Sequence, residues 1–177
     1  LESAGIKVIP ISEITKNPES FDGRMKTISF QIEWGILYDR TNPKHVKEAK
    51  ALDIKPIDIV ACNLYPFEET VKSSKVTLPE AVEQIDVGGP TMVRSAAKNF
   101  KNVLVLTDPS DYSHVRTIVR SKTDSSIERK RLAAKAFKHL SFYDAQVANY
   151  LTTEKFSDET TLPGRKSIVL RYGENPH

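Results

Sequence analysis

The chain has 177 residues, a formal net charge of +3 at pH 7, 39% hydrophobic and 8% aromatic residues. These values are typical of one globular domain with its own core and exclude a disordered chain. Lysines and arginines are scattered among acids, with Arg129-Lys130-Arg131 as a run, which favours a solvated surface over nucleic-acid binding and also suits a small anionic substrate. The sequence contains no apolar run of membrane-spanning length and no signal peptide, which predicts a cytoplasmic protein without a membrane partner.

The first residues predict the end of a helix followed by a short strand. Gly5 is placed to cap the helix, and residues 6–9 form an apolar strand that Pro10 stops. Because a folded domain seldom opens on the last turn of a helix, the sequence predicts that an N-terminal part of the domain precedes Leu1.

Residues 22–27 predict a turn that carries two cations. Gly23 permits a sharp turn, and Arg24 and Lys26 would point the same way in extended chain. Two cations on one side of a loop suit a phosphate or a polarised carbonyl group, although an ordinary solvated loop gives the same pattern.

A helix is predicted to begin at Asn42 and Pro43, as N-cap and first helical residue. It runs to about Leu52 and places Val46, Ala49 and Leu52 on one face.

The continuous apolar runs 57–64 and 103–106 are typical of strands in a parallel sheet covered by helices on both faces. Cys62 lies inside the first run, so we expect a core residue and not a nucleophile, and one cysteine excludes an internal disulfide. Ligands of such sheets gather where strands end. Tyr65 and the turn of residues 86–90 are therefore candidates to meet a ligand.

Two helices are predicted between these strands. Thr77 and Glu80 form a capping box, and the glycines at 88 and 89 begin a second helix, whose free amide groups would face a carbonyl or an anion. After the second strand, helices are predicted at 112–119 and at about 127–151, with His139 structural or exposed. Residues 157–166 predict a linker, and 167–170 a strand.

Four motifs carry a resemblance to a known family: DGRMKT at 22–27, NLYPF at 63–67, EAVEQIDVGGPTMVRSAAKN at 80–99 and RYGENPH at 171–177. They resemble bifunctional purine biosynthesis proteins, which join an IMP cyclohydrolase domain to an aminoimidazole-carboxamide ribotide (AICAR) transformylase domain. The similarity implies an α/β fold with a parallel sheet flanked by helices, methylglyoxal-synthase-like and incomplete. It assigns 1–156 to an N-terminally truncated cyclohydrolase domain, and 157–177 to a linker and the start of the transformylase domain.

The resemblance also implies a reaction, the closure of a formamido-imidazole carboxamide ribotide (FAICAR) to inosinate (IMP) with loss of water. This step uses proton transfers and a polarised formyl oxygen, without a metal or redox cofactor. The residues that match the family's catalytic positions are Lys26, Thr27, Tyr65, Asp86 and Lys98. The residues that match its substrate-binding positions are Arg24, Asn63, Gly88, Arg171 and Tyr172.

For the full-length protein, the resemblance implies 10-formyltetrahydrofolate as co-substrate of the transformylase domain, and a homodimer. Two loops with which the family grips the substrate phosphate do not occur in this sequence. We therefore expect the 177 residues alone to be marginally stable, because a sheet that lacks strands has an exposed edge, and to bind inosinate very weakly.

The sequence departs from the family after Thr27. The family has two histidines, a proline and a small residue where this chain has Ser29, Glu33, Phe30 and Trp34. A hydroxyl cannot replace an imidazole in proton transfer near pH 7, and an indole needs new volume. This loop is therefore either repacked or damaged. Two further readings stay open: a nucleotide-binding module without catalysis, and an inactive fragment.

Overall fold

The computed structural model describes residues 1–121, 125–154 and 156–169. Short helices come first along the chain, and the two strands are separated by three further helices. The elements are α1 (Ile11–Thr15), α2 (Phe30–Leu37), α3 (Pro43–Ala51), β1 (Ile59–Ala61), α4 (Phe67–Val71), α5 (Leu78–Glu83), α6 (Gly88–Lys98), β2 (Leu104–Leu106), α7 (Tyr112–Ser121) and α8 (Ser126–Leu151). Single 3₁₀ turns lie at Glu2–Ala4 and Pro109–Asp111.

The sheet consists of β1 and β2 in parallel, as the two apolar runs predict, with Val60 opposite Val105. Hydrogen bonds continue the ladder past both strand ends, since Leu104 N–H donates to the Asp58 carbonyl and Cys62 N–H donates to the Leu106 carbonyl. All of β2 is buried, as a strand covered on both faces should be.

The prediction that residues 57–64 form a strand covered on both faces is wrong in length and in burial. Only Ile59–Ala61 form the strand, and Ile59 is 45% exposed. The exposure has a structural reason, because β2 is the one strand that pairs with β1 among the described residues. The second edge of β1 is therefore unpaired in this part of the chain.

The core lies where α6 and α8 pack against β2. Small side chains on α6, including Ala96 and Ala97, are fully buried and allow the helix to approach the sheet closely. The same cluster includes Leu132, Ala136 and Leu140 of α8. Burying a side chain of leucine size contributes about 1.5–3 kcal/mol, so this contact is the main source of stability.

A second, smaller cluster fixes the NLYPF segment against α8. Phe67 is 1% exposed and packs edge-on against Tyr143 at 6.3 Å and Tyr150 at 5.6 Å between ring centroids. Such edge-to-face pairs stabilise by about 0.5–1.5 kcal/mol beyond area burial. The end of β1 and the middle of α8 are therefore held together.

The predicted helix ends are confirmed. Gly5 has φ 72° after the first 3₁₀ turn, and the Asn42 side chain accepts a hydrogen bond from Lys44 N–H, with Pro43 as the first residue of α3. The Thr77–Glu80 capping box is complete, with hydrogen bonds in both directions.

Other expectations are wrong. Residues 6–9 are not a strand, because no neighbouring strand pairs with them in the described chain, and Ile9 is 57% exposed. On α3 only Ala49 is buried, while Val46 and Leu52 face solvent. Residues 167–169 form no strand, and the last residue of that predicted strand lies outside the described part.

Candidate functional site

Asp86 connects three segments at the carboxyl end of β1. One oxygen of its carboxylate, Oδ1, accepts a hydrogen bond from Gly89 N–H at 2.8 Å, at the start of α6. The other, Oδ2, accepts a longer bond from Tyr65 N–H at 3.4 Å, in the loop after β1. The carboxylate orientation is therefore fixed by backbone groups, and two residues predicted to meet a ligand, Tyr65 and Asp86, lie together.

The two glycines after Asp86 are required by close packing. A Cβ atom at Gly88 would overlap the Thr27 hydroxyl group, and a Cβ atom at Gly89 would lie 2.5 Å from Asp86 Oδ2. Thr27 therefore rests against the backbone at the start of α6. Thr27, Tyr65, Asp86 and Gly88 form one group, which we name the Asp86 cluster.

Tyr143 completes the surroundings of Asp86, a role that its sequence context does not indicate. Its hydroxyl accepts a hydrogen bond from Asp86 N–H at 2.7 Å and donates one to the Gln84 carbonyl at 3.3 Å. Burial raises the pKa of Tyr143, so the phenol stays neutral at pH 7. The position of Tyr143 in the apolar pattern of α8 indicates only a core residue. Asp86 and Gln84, to which its hydroxyl is hydrogen-bonded, lie far away in the sequence.

Cys62 lies at the same end of β1. Burial, and to a smaller extent the negative charge of Asp86, raise the pKa of the Cys62 thiol. The thiol therefore stays protonated at neutral pH, which agrees with its prediction as a core residue and not a nucleophile.

Arg24 and Lys26 follow a turn with Gly23 at φ 92°, and they pair with acids from different segments. Arg24 forms an ion pair with Glu83 of α5, while Lys26 Nζ lies 3.0 Å from Glu19 Oε2. All four side chains are more than half exposed. Exposed ion pairs are weak and are screened by salt, so an anionic ligand can compete for either cation.

Lys98 is not brought to Asp86. It is the last residue of α6 and is exposed, whereas Asp86 precedes the first residue. At about 1.5 Å per residue, Lys98 lies about 15 Å along the helix from Gly88. The two candidate proton-transfer groups therefore stand at opposite ends of one helix.

The substituted residues after Thr27 form a helix instead of the expected loop. The Ser29 side chain accepts a hydrogen bond from Ile32 N–H at 3.2 Å and so caps α2. The carboxylate of Glu33 accepts a hydrogen bond from the Ser95 hydroxyl at 2.6 Å, which ties α2 to α6. Two of the four departures from the family therefore have a local structural role.

Trp34 does not fill interior volume, as a repacked loop would require. It is 40% exposed, and its ring contacts that of Phe30 at 4.8 Å between centroids. It borders an apolar hollow of about 280 Å³ between α2 and α3, which also includes Leu37, Ala49 and Leu52. This hollow lies away from the Asp86 cluster, and its lining is mainly apolar.

A second cavity, of about 240 Å³, opens at the carboxyl ends of both strands. Its wall combines polar and aromatic side chains from the strand ends, from α8 and from the segment beyond α8. Among them are Asn63, Tyr65, Thr107, His139, Phe142 and Arg165, which together we name the His139 pocket. Parallel sheets bind ligands in this position, so the cavity extends the Asp86 cluster.

Arg165 closes one side of the His139 pocket. Its guanidinium group lies 2.6 Å from Glu68 Oε2 and 4.1 Å from the centroid of the Phe142 ring. The Arg165 hydrogen bond lowers the pKa of Glu68. Burial, and then the charge of Arg165, lower the pKa of His139, so this imidazole is neutral at pH 7.

Arg171 and Tyr172 lie outside the described residues. Within the described ranges, no group of three or more His, Cys, Asp or Glu side chains could hold a metal ion. No helix in those ranges is both long and apolar enough to cross a membrane.

The fold is an α/β domain with a parallel sheet, and the candidate site lies where its strands end. Residues 1–91 match the MGS-like domain, and the chain belongs to this family. Residues 96–177 match the family described as AICARFT/IMPCHase bienzyme. Both matches agree with the resemblance that the four sequence motifs carry.

Individual relatives agree with both matches. The bifunctional purine biosynthesis protein PurH of Lactiplantibacillus plantarum is 49% identical over 177 residues, covering 100% of this chain and 35% of the relative. The PurH protein of Chloroflexus aurantiacus is 50% identical over 177 residues, which again cover 100% of this chain and 35% of the relative. The chain therefore spans about a third of the length of these relatives, and the resemblance to bifunctional purine biosynthesis proteins is confirmed.

The crystal structure of ForH is similar at a TM-score of 0.73 and 34% identity, covering 83% of this chain and 76% of that chain. The predicted methylglyoxal-synthase-like α/β fold is thereby confirmed.

Proposed function

We propose that this chain is the IMP cyclohydrolase part of a bifunctional purine biosynthesis enzyme, and that it closes FAICAR to inosinate. The observation that carries the proposal is the Asp86 cluster. A carboxylate held by two backbone N–H groups lies beside Thr27 and Tyr65, at the sheet edge where ligands bind. Similarity to PurH proteins over the whole chain supports the same reaction.

The reaction needs groups of this kind. The carboxamide nitrogen forms a bond to the formyl carbon and loses one proton, the formamido nitrogen loses a second, and the formyl oxygen gains both and leaves as water. Asp86 and Lys98 would carry protons, and Lys26, Thr27 and Tyr65 would orient or polarise the reacting carbonyl groups. Proton transfer by positioned side chains contributes about 10²–10⁴-fold to such rates.

Binding would use a different set of residues. Asn63 and the backbone at Gly88 would contact the base, and Arg24 would leave Glu83 to lie near the phosphate. Arg171 and Tyr172 would bind substrate at the start of a transformylase domain, whose co-substrate is 10-formyltetrahydrofolate. The cyclohydrolase step itself would need no cofactor, and the full-length protein would be a cytoplasmic homodimer.

The experiment that tests this function changes Asp86→Asn in the natural gene product that carries this chain. Asparagine can still accept the Gly89 hydrogen bond, so the fold should persist. Conversion of FAICAR to inosinate should fall by about 10²-fold or more. The control is Asp144→Asn, an exposed carboxylate of α8 that pairs with Arg94. Equal turnover in the wild type and in Asp86→Asn would contradict the proposal.

One observation favours a second function, a nucleotide-binding module without turnover. Lys98 stands about 15 Å from the start of α6, so the acid–base pair is not assembled in this structure. Inosinate binding by a wild-type protein that does not convert FAICAR would identify such a module.

A further inference from the structure

Arg165 is the point at which the segment beyond α8 returns to the candidate site. This segment, residues 157–169, has no helix or strand, and we name it the strap. We propose that Arg165 is a positioning residue for the cyclohydrolase reaction, which holds the loop around Tyr65 in place by joining α4 to α8. The reaction rests on the proposed function, whereas the contacts of Arg165 do not.

One guanidinium group contacts both helices. Arg165 Nη1 lies 2.6 Å from Glu68 Oε2, in the first turn of α4. The central carbon of the same group lies 4.1 Å from the centroid of the Phe142 ring, on α8. A planar guanidinium group can pair with a carboxylate and stack on a ring at the same time, which an ammonium group cannot do. Arg165 therefore bridges α4 and α8.

These two helices hold the two sides of the Asp86 cluster. Tyr65 lies just before α4, and its carbonyl accepts a hydrogen bond from Phe67 N–H at 2.8 Å. On α8, Phe142 precedes Tyr143, whose hydroxyl accepts the 2.7 Å hydrogen bond from Asp86 N–H. The bridge therefore connects the backbone beside Tyr65 to the helix that holds Asp86.

The Tyr65 loop has little other support. The bond from Tyr65 N–H to Asp86 is 3.4 Å long, beyond the roughly 2.7–3.2 Å of a normal N–H···O bond. The helix α4 has five residues, of which only Phe67 is buried, and a helix of this length is not stable by itself. The position of α4 therefore depends on contacts with α8.

Glu68 is the residue of α4 through which Arg165 acts. Its side chain is only 26% exposed, and Lys72 Nζ lies 3.5 Å from its other oxygen. Lys72 follows α4 directly, so that pair cannot fix α4 relative to α8. Among the groups that lower the pKa of Glu68, the hydrogen bond of Arg165 has the largest effect, ahead of that of Gln146 on α8.

The strap is attached by polar contacts. Besides the Arg165 bridge, Asn149 Nδ2 of α8 donates to the Thr161 carbonyl at 3.2 Å, and the Thr161 hydroxyl donates to Asn149 Oδ1 at 3.3 Å. Leu162 and Val169 of the strap are more than three-quarters exposed. Loss of the Arg165 side chain therefore removes no buried apolar surface, and variants at this position should fold.

The first test measures FAICAR closure by the natural gene product that carries this chain. Arg165→Ala should lower kcat about tenfold and leave KM within about twofold, because a displaced reacting group costs transition-state stabilisation more than binding. Arg165→Lys keeps the charge without the planar stack and should recover part of the loss. Lys166→Ala, an exposed neighbour in the strap, is the matched control. Unchanged kcat in Arg165→Ala, or a change in KM alone, would overturn the proposal.

A double variant tests the route through Glu68. If the two side chains act as one bridge, Glu68→Gln combined with Arg165→Ala should lower kcat about as much as Arg165→Ala alone. Losses that multiply in the double variant would show that Arg165 acts independently of Glu68 and would overturn the proposal.

Amide hydrogen exchange, followed by mass spectrometry, gives a measurement that needs no turnover. Arg165→Ala should speed exchange about fivefold or more in a peptide covering residues 62–70 and leave one covering β2 unchanged. Equal acceleration in both peptides would indicate a merely structural residue, and no acceleration would show that Arg165 does not support the loop. Both results overturn the proposal. Faster exchange at 62–70 in a protein without any turnover would contradict the proposed function and leave the support of the Tyr65 loop by Arg165 intact.

Discussion

Residues 1–28 and residues 57–151 are held in place in different ways. In the first segment only Thr15 is buried, and the backbone bonds are local, such as the bridge between Ser20 and Met25. In the second, β2 is buried throughout and α6 and α8 enclose it. The candidate site draws on both, with Asp86 anchored in the core and Arg24 and Lys26 on an exposed loop. The position of Asp86 is therefore structurally fixed, while those of Arg24 and Lys26 depend on exposed ion pairs.

The largest expected effect compares one apolar side chain from each segment. Leu140 is 1% exposed and Ile9 is 57% exposed. Leu140→Ala should lower the free energy of unfolding by about 2–5 kcal/mol, because it leaves a cavity in the core. Ile9→Ala should change it by less than about 0.5 kcal/mol. Urea unfolding measures both variants, and similar losses would show that residues 6–9 are buried in solution.

A smaller effect is expected on turnover at the far end of α6. Lys98→Ala should lower FAICAR closure at least about tenfold if Lys98 transfers a proton. Lys101→Ala, an exposed lysine just after α6, serves as the control. Turnover that stays the same in Lys98→Ala would remove Lys98 from the mechanism and leave Asp86 to act without it.

The stability that residues 57–151 contribute should also depend on pH. Lys135 Nζ lies 2.6 Å from Asp108 Oδ2 and 2.6 Å from Asp111 Oδ2. The Lys135 hydrogen bond, followed by that of Ser110 N–H, holds the pKa of Asp108 well below its ordinary value. Because the folded-state pKa is lowered, the stabilisation is present above about pH 4 and is lost as pH falls below it.

Urea unfolding of the wild type between about pH 2 and pH 6 should therefore show that the free energy of unfolding declines below about pH 4. Lys135→Met should make this decline with pH less steep. Lys138→Met is the control on the same helix. An unchanged slope in Lys135→Met would mean that the ion pair does not form in solution.

The smallest effect is expected at Trp34. Its 40% exposure predicts that Trp34→Ala changes the free energy of unfolding by less than about 1 kcal/mol in a thermal melt. A loss of about 3 kcal/mol or more would indicate a buried indole and restore the idea of a repacked interior.

Features with local causes could be predicted from the sequence. The Thr77–Glu80 capping box and the Asn42 cap follow from hydrogen bonds between residues two or three apart. The parallel pairing of the two apolar runs followed from their composition and from the helices between them. The position of Tyr65 in the loop after the first strand could be predicted in the same way, because the apolar run ends there.

Only the tertiary structure decided which distant groups pair. The bond of Tyr143 to Asp86 joins residues 57 positions apart, and no local pattern distinguishes it from ordinary core packing. The same holds for the ion pair of Arg24 with Glu83, which parts Arg24 from Lys26. The composition of residues 6–9 predicts a strand, but these residues form none. A strand requires hydrogen bonds to a second segment, and the composition of residues 6–9 does not show whether such a segment lies beside them.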